Sequence, residues 1–144
     1  MPDFTPTPIK PIATIAALEG LDIRVGTTEG VENVPRSEKL MKLTVNFGDH
    51  SRTILAGIKK ERENPREIQG RQALFVVNLE PRKMAGEISE GMLFDIGYAD
   101  GVTPVLSVPE PARSERHSRR LVSAPIRVRA RFISLLRVSE RRKR

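Results

Sequence analysis

Alternating apolar and polar residues mark the centre of the chain as β-structure. In the segment KLMKLTVNF (39–47), every second residue from Met41 to Phe47 is apolar and the residues between them are polar. Such alternation is typical of a strand with one buried face. Turn-forming residues follow at 48–49, so the next segment, SRTILAGI (51–58), is predicted to return as the second strand of a hairpin.

Shorter patterns predict the other strands. Residues 22–27 alternate between apolar and polar side chains and indicate a first strand before the hairpin. The run ALFVVNL (73–79) is apolar almost throughout, as in a strand that is buried on both faces. GMLFDIGY (91–98) and VTPVLSV (102–108) are predicted as the last strands, joined by a turn at 100–101.

Two short helices are indicated beside the strands. Apolar residues recur at helical spacing in IATIAALEG (12–20), and Gly20 is suited to end a helix. We expect the apolar side of this helix to pack against another surface. Between the third and fourth strands, Asn64 can cap a helix that starts at Pro65 and ends at Gly70.

This order of elements predicts the fold class. Short strands with one helix between the third and the fourth are the layout expected of a five-stranded Greek-key barrel, the OB-fold. We therefore predict an all-β, five-stranded OB-fold barrel with a short helix between strands 3 and 4 and a short N-terminal helix. Other small barrels and sandwiches are the alternatives that the pattern leaves open.

Composition divides the chain into three parts. Four prolines in residues 1–11 exclude a regular helix, so this part is predicted to be an extended arm. Residues 12–110 are predicted to form the folded domain, and 111–144 an Arg-rich tail that is disordered or foreign to the domain. The net charge of +7 comes from the tail, because residues 113–144 carry 12 basic and two acidic side chains.

The same composition excludes several functions. The 144 residues include no Cys and only two His, at 50 and 117. Thiolate metal sites, disulfides and a His-centred catalytic group are therefore not expected, and we predict no catalytic residues, no metal and no cofactor. No apolar run approaches the length of a membrane-spanning helix, so we expect a cytoplasmic protein without membrane contact.

Six short sequences, in order, carry a resemblance to a known family. They are LDIRVG (21–26), SEKLMKLTVNFGD (37–49), AGI (56–58), NPREIQG (64–70), VVNLEPRKMAG (76–86) and SEGML (89–93). Together they resemble the tRNA-binding domain of methionyl-tRNA synthetases, which also occurs as a free-standing tRNA-binding protein and in the chaperone-like protein CsaA. The resemblance extends over about residues 12–110. It implies an OB-fold core, a homodimer and tRNA as the partner, with an aminoacyl-tRNA synthetase or an unfolded polypeptide as further candidates.

The family's motifs supply candidate binding residues. The Asn-Leu-x-Pro-Arg/Lys-Lys, Ser-x-Gly-Met and Ser-Glu-Lys-Leu elements all match this chain, and Lys42 lies on the polar face of the second strand. The residues predicted to contact RNA are Lys39, Lys42, Asn78, Arg82, Lys83, Ser89 and Met92. Cations would contact phosphates, whereas the polar and apolar side chains would contact bases or backbone.

Each of these residues also has a structural interpretation. Lys42 and the pair Arg82–Lys83 would then be ordinary surface charges, Asn78 would pin its loop, and Met92 would begin a core strand. The chain has five Phe, one Tyr and no Trp, so few aromatic side chains are available to stack on bases. This scarcity favours recognition of folded RNA by its shape and backbone. We therefore predict a non-catalytic tRNA-binding protein. The alternatives are a CsaA-like, export-related chaperone that binds unfolded peptides as a dimer, an adaptor protein, and an enzyme.

Overall fold

Short strands account for most of the regular structure in the described part of the chain. The computed structural model describes residues 6–97, 105–108, 113–114, 117–121 and 126–127. Its elements are α1 (Ile15–Glu19), β1 (Ile23–Asn33), β2 (Met41–Asn46), β3 (Ser51–Ala56), a 3₁₀ helix (Pro65–Ile68), β4 (Gln72–Val76), β5 (Arg82–Met84), β6 (Glu87–Ser89), β7 (Met92–Leu93), β8 (Asp95–Ile96), β9 (Val105–Leu106), β10 (Arg113–Ser114), β11 (His117–Leu121) and β12 (Ile126–Arg127).

The long strand β1 pairs with two neighbouring strands, and a bulge between its two paired parts curves the sheet. Its first half, from Ile23 to Thr27, pairs antiparallel with β4. Its second half, up to Asn33, pairs antiparallel with β2, and the register shifts between Thr28 and Gly30. Such a bulge bends a strand and increases its twist. The resulting sheet has the order β3-β2-β1-β4-β7, with β12 pairing β1 beside this path.

The segment that follows β6 closes the sheet into a barrel by bridging β3 and β4. On one side, the amide of Glu90 donates a hydrogen bond to the carbonyl of Thr53 at 2.8 Å. On the other side, Met92 is paired with Val76 in the ladder between β7 and β4. Gly91 lies between them, and a methyl group added there would be 2.8 Å from the Val76 carbonyl oxygen. The crossing is therefore close enough to require glycine.

Two side chains strengthen this closure. The Ser89 hydroxyl accepts a hydrogen bond from the Leu55 amide of β3 and donates one to the carbonyl of Gly91, both at 3.0 Å. The Arg52 guanidinium donates to the carbonyl of Glu90 at 3.1 Å. Ser89 is only 3% exposed, and a buried hydroxyl that satisfies a buried amide is costly to remove.

The barrel interior is filled by the apolar faces that the sequence predicts. Leu43, Val45 and Ile54 are fully buried. Phe47 and Phe75 pack edge to face with their ring centroids 5.6 Å apart, which is the favoured geometry for a pair of aromatic rings.

The predicted fold class is confirmed: the chain is a mostly β protein built on a nearly closed five-stranded antiparallel barrel of the OB type. The hairpin of β2 and β3 lies where the alternation predicted it. The predicted second helix is a 3₁₀ turn at Pro65–Ile68, and Asn64 caps it by accepting from the amide of Arg66 at 3.2 Å. The domain boundaries at 12–110 stay a prediction.

The last part of the barrel differs from the predicted strands. The segment predicted as one strand at 91–98 contains two short strands, β7 and β8, and β8 pairs with β9. The hairpin of β5 and β6 was not predicted at all, since strands of three residues are too short for an alternation to show. Residues 98–104, which include the predicted turn at 100–101, lie outside the described residues.

The N-terminal helix forms, but it does not pack as expected. Thr14 caps α1, and its side chain accepts from the Ala17 amide at 3.3 Å. Every residue of α1 is exposed, including Ile15 and Leu18. The predicted contact of its apolar side with another surface is therefore absent from the described chain.

Parts of the Arg-rich tail are ordered as strands in the described residues. β10 pairs with β11, and β12 pairs with β1 through Val25↔Ile126 and Arg24↔Arg127. The rest of the segment 113–144 and the arm at 1–5 lie outside the described residues. The predicted character of the whole tail therefore stays a prediction.

Replacing Gly91 by alanine is expected to destabilise the barrel by about 1–3 kcal/mol, since the added methyl group meets the β4 backbone and cannot be accommodated without a shift. Gly57→Ala is the matched control, because nothing lies within 4 Å of a methyl group there. Urea unfolding followed by circular dichroism measures both. Equal midpoints for the two variants would contradict the role assigned to the crossing.

Ser89→Ala is expected to lower the free energy of unfolding by about 1–3 kcal/mol, because the buried Leu55 amide loses its acceptor. Hydrogen exchange at the Leu55 amide should accelerate as well. Ser51→Ala is the control, as Ser51 is exposed on β3, the strand that also carries Leu55. Unchanged stability in Ser89→Ala would show that the hydroxyl is not needed for closure.

Candidate nucleic-acid interface

The hairpin of β5 and β6 presents two of the predicted cations. Arg82 is paired with Ser89 across the hairpin, and Lys83 is paired with Ile88. Arg82 and Lys83 are both exposed. Within the described residues, neither side chain forms an ion pair or a hydrogen bond. Their charges are therefore free to meet an anionic partner.

The turn of this hairpin fixes the position of the two cations. Its two loop residues, Ala85 and Gly86, both have positive φ angles, 50° and 81°. Two successive residues of this kind form the tight turn whose twist matches paired strands. Alanine adopts this conformation at a cost of roughly 1–2 kcal/mol. Because Ser89 anchors the other end of β6 in the barrel wall, the hairpin is held at its base.

The two lysines near β2 have different surroundings. Lys42 is half-buried, and its ammonium lies 3.4 Å from the carboxylate of Glu87 in β6. Lys39 is exposed and its side chain has no partner among the described residues. Its backbone amide binds the Ser37 hydroxyl at 3.1 Å, so the loop that carries it is ordered. The structure thus brings Lys42 to the hairpin and records no contact between Lys39 and it.

Asn78 is held by the backbone of the N-terminal segment. Its side-chain oxygen accepts from the Asp22 amide and its nitrogen donates to the carbonyl of Gly20, both at 2.7 Å. Both functional groups of the amide are therefore occupied. Asn78 therefore holds the segment before β1 against the end of β4. This role resembles the structural interpretation given above, but the segment that Asn78 holds is not its own loop.

Ser89 is buried in the structure, whereas Met92 is exposed. The Ser89 hydroxyl is occupied by the barrel closure, so in this structure it does not reach the surface. Met92 is 47% exposed, and the apolar side chains of Leu79 and Ile88 are 40% and 55% exposed. Part of the Met92 side chain is therefore accessible beside the closure, and it is not buried in the core.

Three other basic residues, one on β3 and two in the loop that follows it, have partners within the molecule. The Lys59 ammonium donates to the carbonyl of Val34 at 3.0 Å, which ties the loop after β1 to the end of β3. Lys60 pairs with Glu38 at 3.1 Å, and Arg52 binds backbone carbonyls at the closure. Lys59 and Arg52 thus bind the backbone of the fold itself, whereas the Lys60–Glu38 ion pair lies at the surface, where such pairs contribute little stability.

Arg36 is a cation that the sequence did not single out. Its guanidinium lies against the hairpin turn, where a methyl group added at Gly86 would be 3.1 Å from one of its terminal nitrogens. Arg36 is exposed and has no ion pair among the described residues. Only the fold brings it there, because 50 residues of sequence separate it from the turn. A glycine at position 86 is the one feature that could have suggested a close neighbour.

The carboxyl groups with shifted pKa values belong to other parts of the barrel. A hydrogen bond from Arg24, at 3.1 Å, lowers the pKa of Asp22. A hydrogen bond with His50, at 2.6 Å, lowers the pKa of Asp49. Burial, and then the charge of Asp95, raises the pKa of Glu61. None of these groups belongs to the hairpin.

The described residues contain neither a metal-binding group nor a membrane-spanning helix. They contain no group of three or more His, Cys, Asp or Glu placed to hold a metal ion. No helix among them has the length and apolar character needed to cross a bilayer.

Comparison with known proteins agrees with this type of surface. A family described as "Putative tRNA binding domain" matches residues 23–115. A methionine–tRNA ligase of Phocaeicola vulgatus is 40% identical over 107 residues, which are 74% of this chain and 16% of the ligase. The chain therefore spans about one sixth of the length of the curated relatives it matches.

Solved structures of similar shape include a MetRS-related protein from Pyrococcus horikoshii and the chaperone CsaA from Bacillus anthracis. The first is 33% identical with a TM-score of 0.67, and the second is 25% identical with a TM-score of 0.60. The aligned region is 83% of this chain and the whole of the other chain in both cases. By sequence and by fold, this chain belongs to the family of tRNA-binding domains.

Proposed function

We propose that this protein is a non-catalytic tRNA-binding protein that holds folded tRNA through phosphate and shape contacts. The observation that carries the proposal is the pair Arg82–Lys83. Both side chains are exposed and unpaired within the described chain, on a hairpin whose base is bonded to the barrel wall. They also occupy the positions of a motif shared with the family.

Phosphate contacts suit this hairpin better than base stacking does. The three phenylalanines of the described residues, Phe47, Phe75 and Phe94, are buried or half-buried. No described phenylalanine is therefore available to stack on an unpaired base, and recognition of single-stranded RNA depends strongly on such stacking. Exposed cations at fixed positions instead read the path of a folded backbone.

The other predicted residues support this surface in different ways. We infer that Lys42, Lys39 and the exposed part of Met92 contact the RNA beside the hairpin. Ser89 and Asn78 act as positioning residues, since one anchors the hairpin and the other anchors the strand next to β4. The same proposal places the protein in the cytoplasm with tRNA, and makes an aminoacyl-tRNA synthetase a candidate partner.

The double variant Arg82→Gln/Lys83→Gln is expected to weaken binding of unfractionated tRNA about tenfold at low salt. It should also reduce the salt dependence by about 0.7–0.9 per lost phosphate contact. A gel-shift or filter-binding titration on the full chain measures both. The matched control is Arg66→Gln/Arg71→Gln, which removes the same charge from exposed residues whose side chains have no partner in the described chain. Because the tail is unchanged in both variants, its contribution cancels, and equal losses would contradict the proposal.

A chaperone function is the second candidate, favoured by the similarity to CsaA and by the exposed apolar side chains of Ile88 and Met92. Assays of the wild-type chain decide between the two functions. Failure of the wild-type chain to bind tRNA, together with suppression of the aggregation of an unfolded client, would replace the first proposal by the second.

We propose further that the protein is a homodimer that buries the N-terminal apolar surface. The side chains of Ile9 and Ile12 are fully exposed, and those of Ile15 and Leu18 are 38% and 48% exposed. Apolar residues at helical spacing are expected to pack against a partner surface. A second copy would supply such a surface and would double the number of phosphate contacts.

Leu18→Glu is expected to weaken the dimer by about tenfold or more in its dissociation constant, because a buried leucine contributes about 1.5–3 kcal/mol. Sedimentation velocity over a range of concentrations measures the dimer fraction. Ala17→Glu adds the same charge to an exposed position of the same helix and is the control. A wild-type chain that stays monomeric at every concentration would overturn the proposal.

A further inference from the structure

The tip of the β5–β6 hairpin carries an arginine that no motif assigns to it. Arg36 belongs to the loop between β1 and β2, yet its guanidinium lies against Gly86 at the turn. A methyl group added at Gly86 would be 3.1 Å from a terminal nitrogen and 3.6 Å from the δ-carbon of Arg36. The side chain therefore crosses the turn along its length, and its planar head is left without an acceptor in the described chain.

The residue that follows the turn, the first of β6, binds a lysine. Glu87, directly after Gly86, holds the ammonium of Lys42 at 3.4 Å. Lys42 also lies opposite Glu32 in the register of β1 and β2. Glu87 is the carboxylate that pairs with this lysine in the described chain, so the lysine contributes little net positive charge to the surface while Glu87 holds it.

The contacts of Arg36 with Gly86 and of Lys42 with Glu87 indicate a binding site in which one carboxylate opposes ligand binding. We propose that Arg36 and Lys42 form a phosphodiester-binding subsite at the tip of the hairpin, and that Glu87 restrains it by holding Lys42. This inference rests on the proposed function, because it names the part of that surface that takes an RNA phosphate. It adds a residue, Arg36, and a carboxylate that opposes binding, Glu87.

The chemistry of the two cations suits a phosphate. A guanidinium offers two parallel donors to two phosphate oxygens, and packing of its aliphatic stem on the turn limits the rotamer freedom lost on binding. The ion pair of Lys42 is half-exposed, so its strength is modest. A phosphate that binds Arg36 can therefore displace the Glu87 carboxylate and become the ion-pair partner of Lys42.

Charge-removing variants of the full chain test the subsite in a tRNA titration at several salt concentrations. Arg36→Gln is expected to weaken binding about fivefold and to reduce the salt dependence by about 0.7–0.9. Glu87→Gln is expected to strengthen binding about threefold, since the released lysine gains a phosphate. Arg36→Lys should recover part of the loss, because it restores the charge without the two-pronged geometry.

The controls separate a local effect from a change in net charge. Arg66→Gln and Glu63→Gln alter the charge by the same amounts at exposed positions without partners in the described chain. Unfolding midpoints that match wild type show that each variant is folded. If Arg36→Gln and Glu87→Gln change tRNA binding no more than their controls do, while the wild-type chain binds tRNA, the subsite is overturned and the proposed function stands. If wild type binds no tRNA, the proposed function itself fails.

A competitor identifies the chemistry that the site recognises. Polyglutamate of similar total charge should displace tRNA from the wild-type chain much less effectively than an unrelated folded RNA does. Equal displacement by the two polyanions would show general attraction of anions and would contradict a phosphate subsite.

Discussion

Closure of the barrel by the segment from Ser89 to Met92 is the constraint on which the rest of the structure depends. One side of this segment is bonded to β3 and the other to β4, and Gly91 allows the crossing between them. The closure completes the core, because it covers the open side of the sheet. It also determines where the candidate surface lies, since β6 runs directly into it. Stability of the barrel and orientation of the cations therefore depend on the same few contacts.

The contacts of each cation matter more than the total charge. The first 112 residues carry 13 basic and 16 acidic side chains, which suggests little attraction for RNA. Lys59 and Arg52 bind backbone carbonyls within the fold, and Lys42 is held by a carboxylate. Arg36, Arg82 and Lys83 remain unpaired in the described chain. A body with slight negative charge can therefore still present a local positive surface.

Sequence patterns predicted the fold where a pattern was long, and they offered candidate site residues only where a motif was shared. The six residues of β2 alternate cleanly, so this strand and its partner β3 were predicted closely. The three-residue strands β5 and β6 leave no such pattern. The motif singled out Ser89 but could not show that it is buried, because its partner, the Leu55 amide, is 34 residues away in the sequence. Arg36 could not be predicted for the same reason.

The connection between the tail and the barrel, made through β12, affects how measurements of RNA affinity are interpreted. Arg127 is paired with Arg24 on the edge of β1, and its guanidinium lies 3.4 Å from the Asp22 carboxylate. A basic segment is thus attached to the same barrel that carries the hairpin. If the proposed contact between the hairpin and tRNA forms, cations of the tail add to the same affinity, and the two contributions to the salt dependence are measured together. Comparison of variants that share the same tail is for this reason the way to assign affinity to the hairpin.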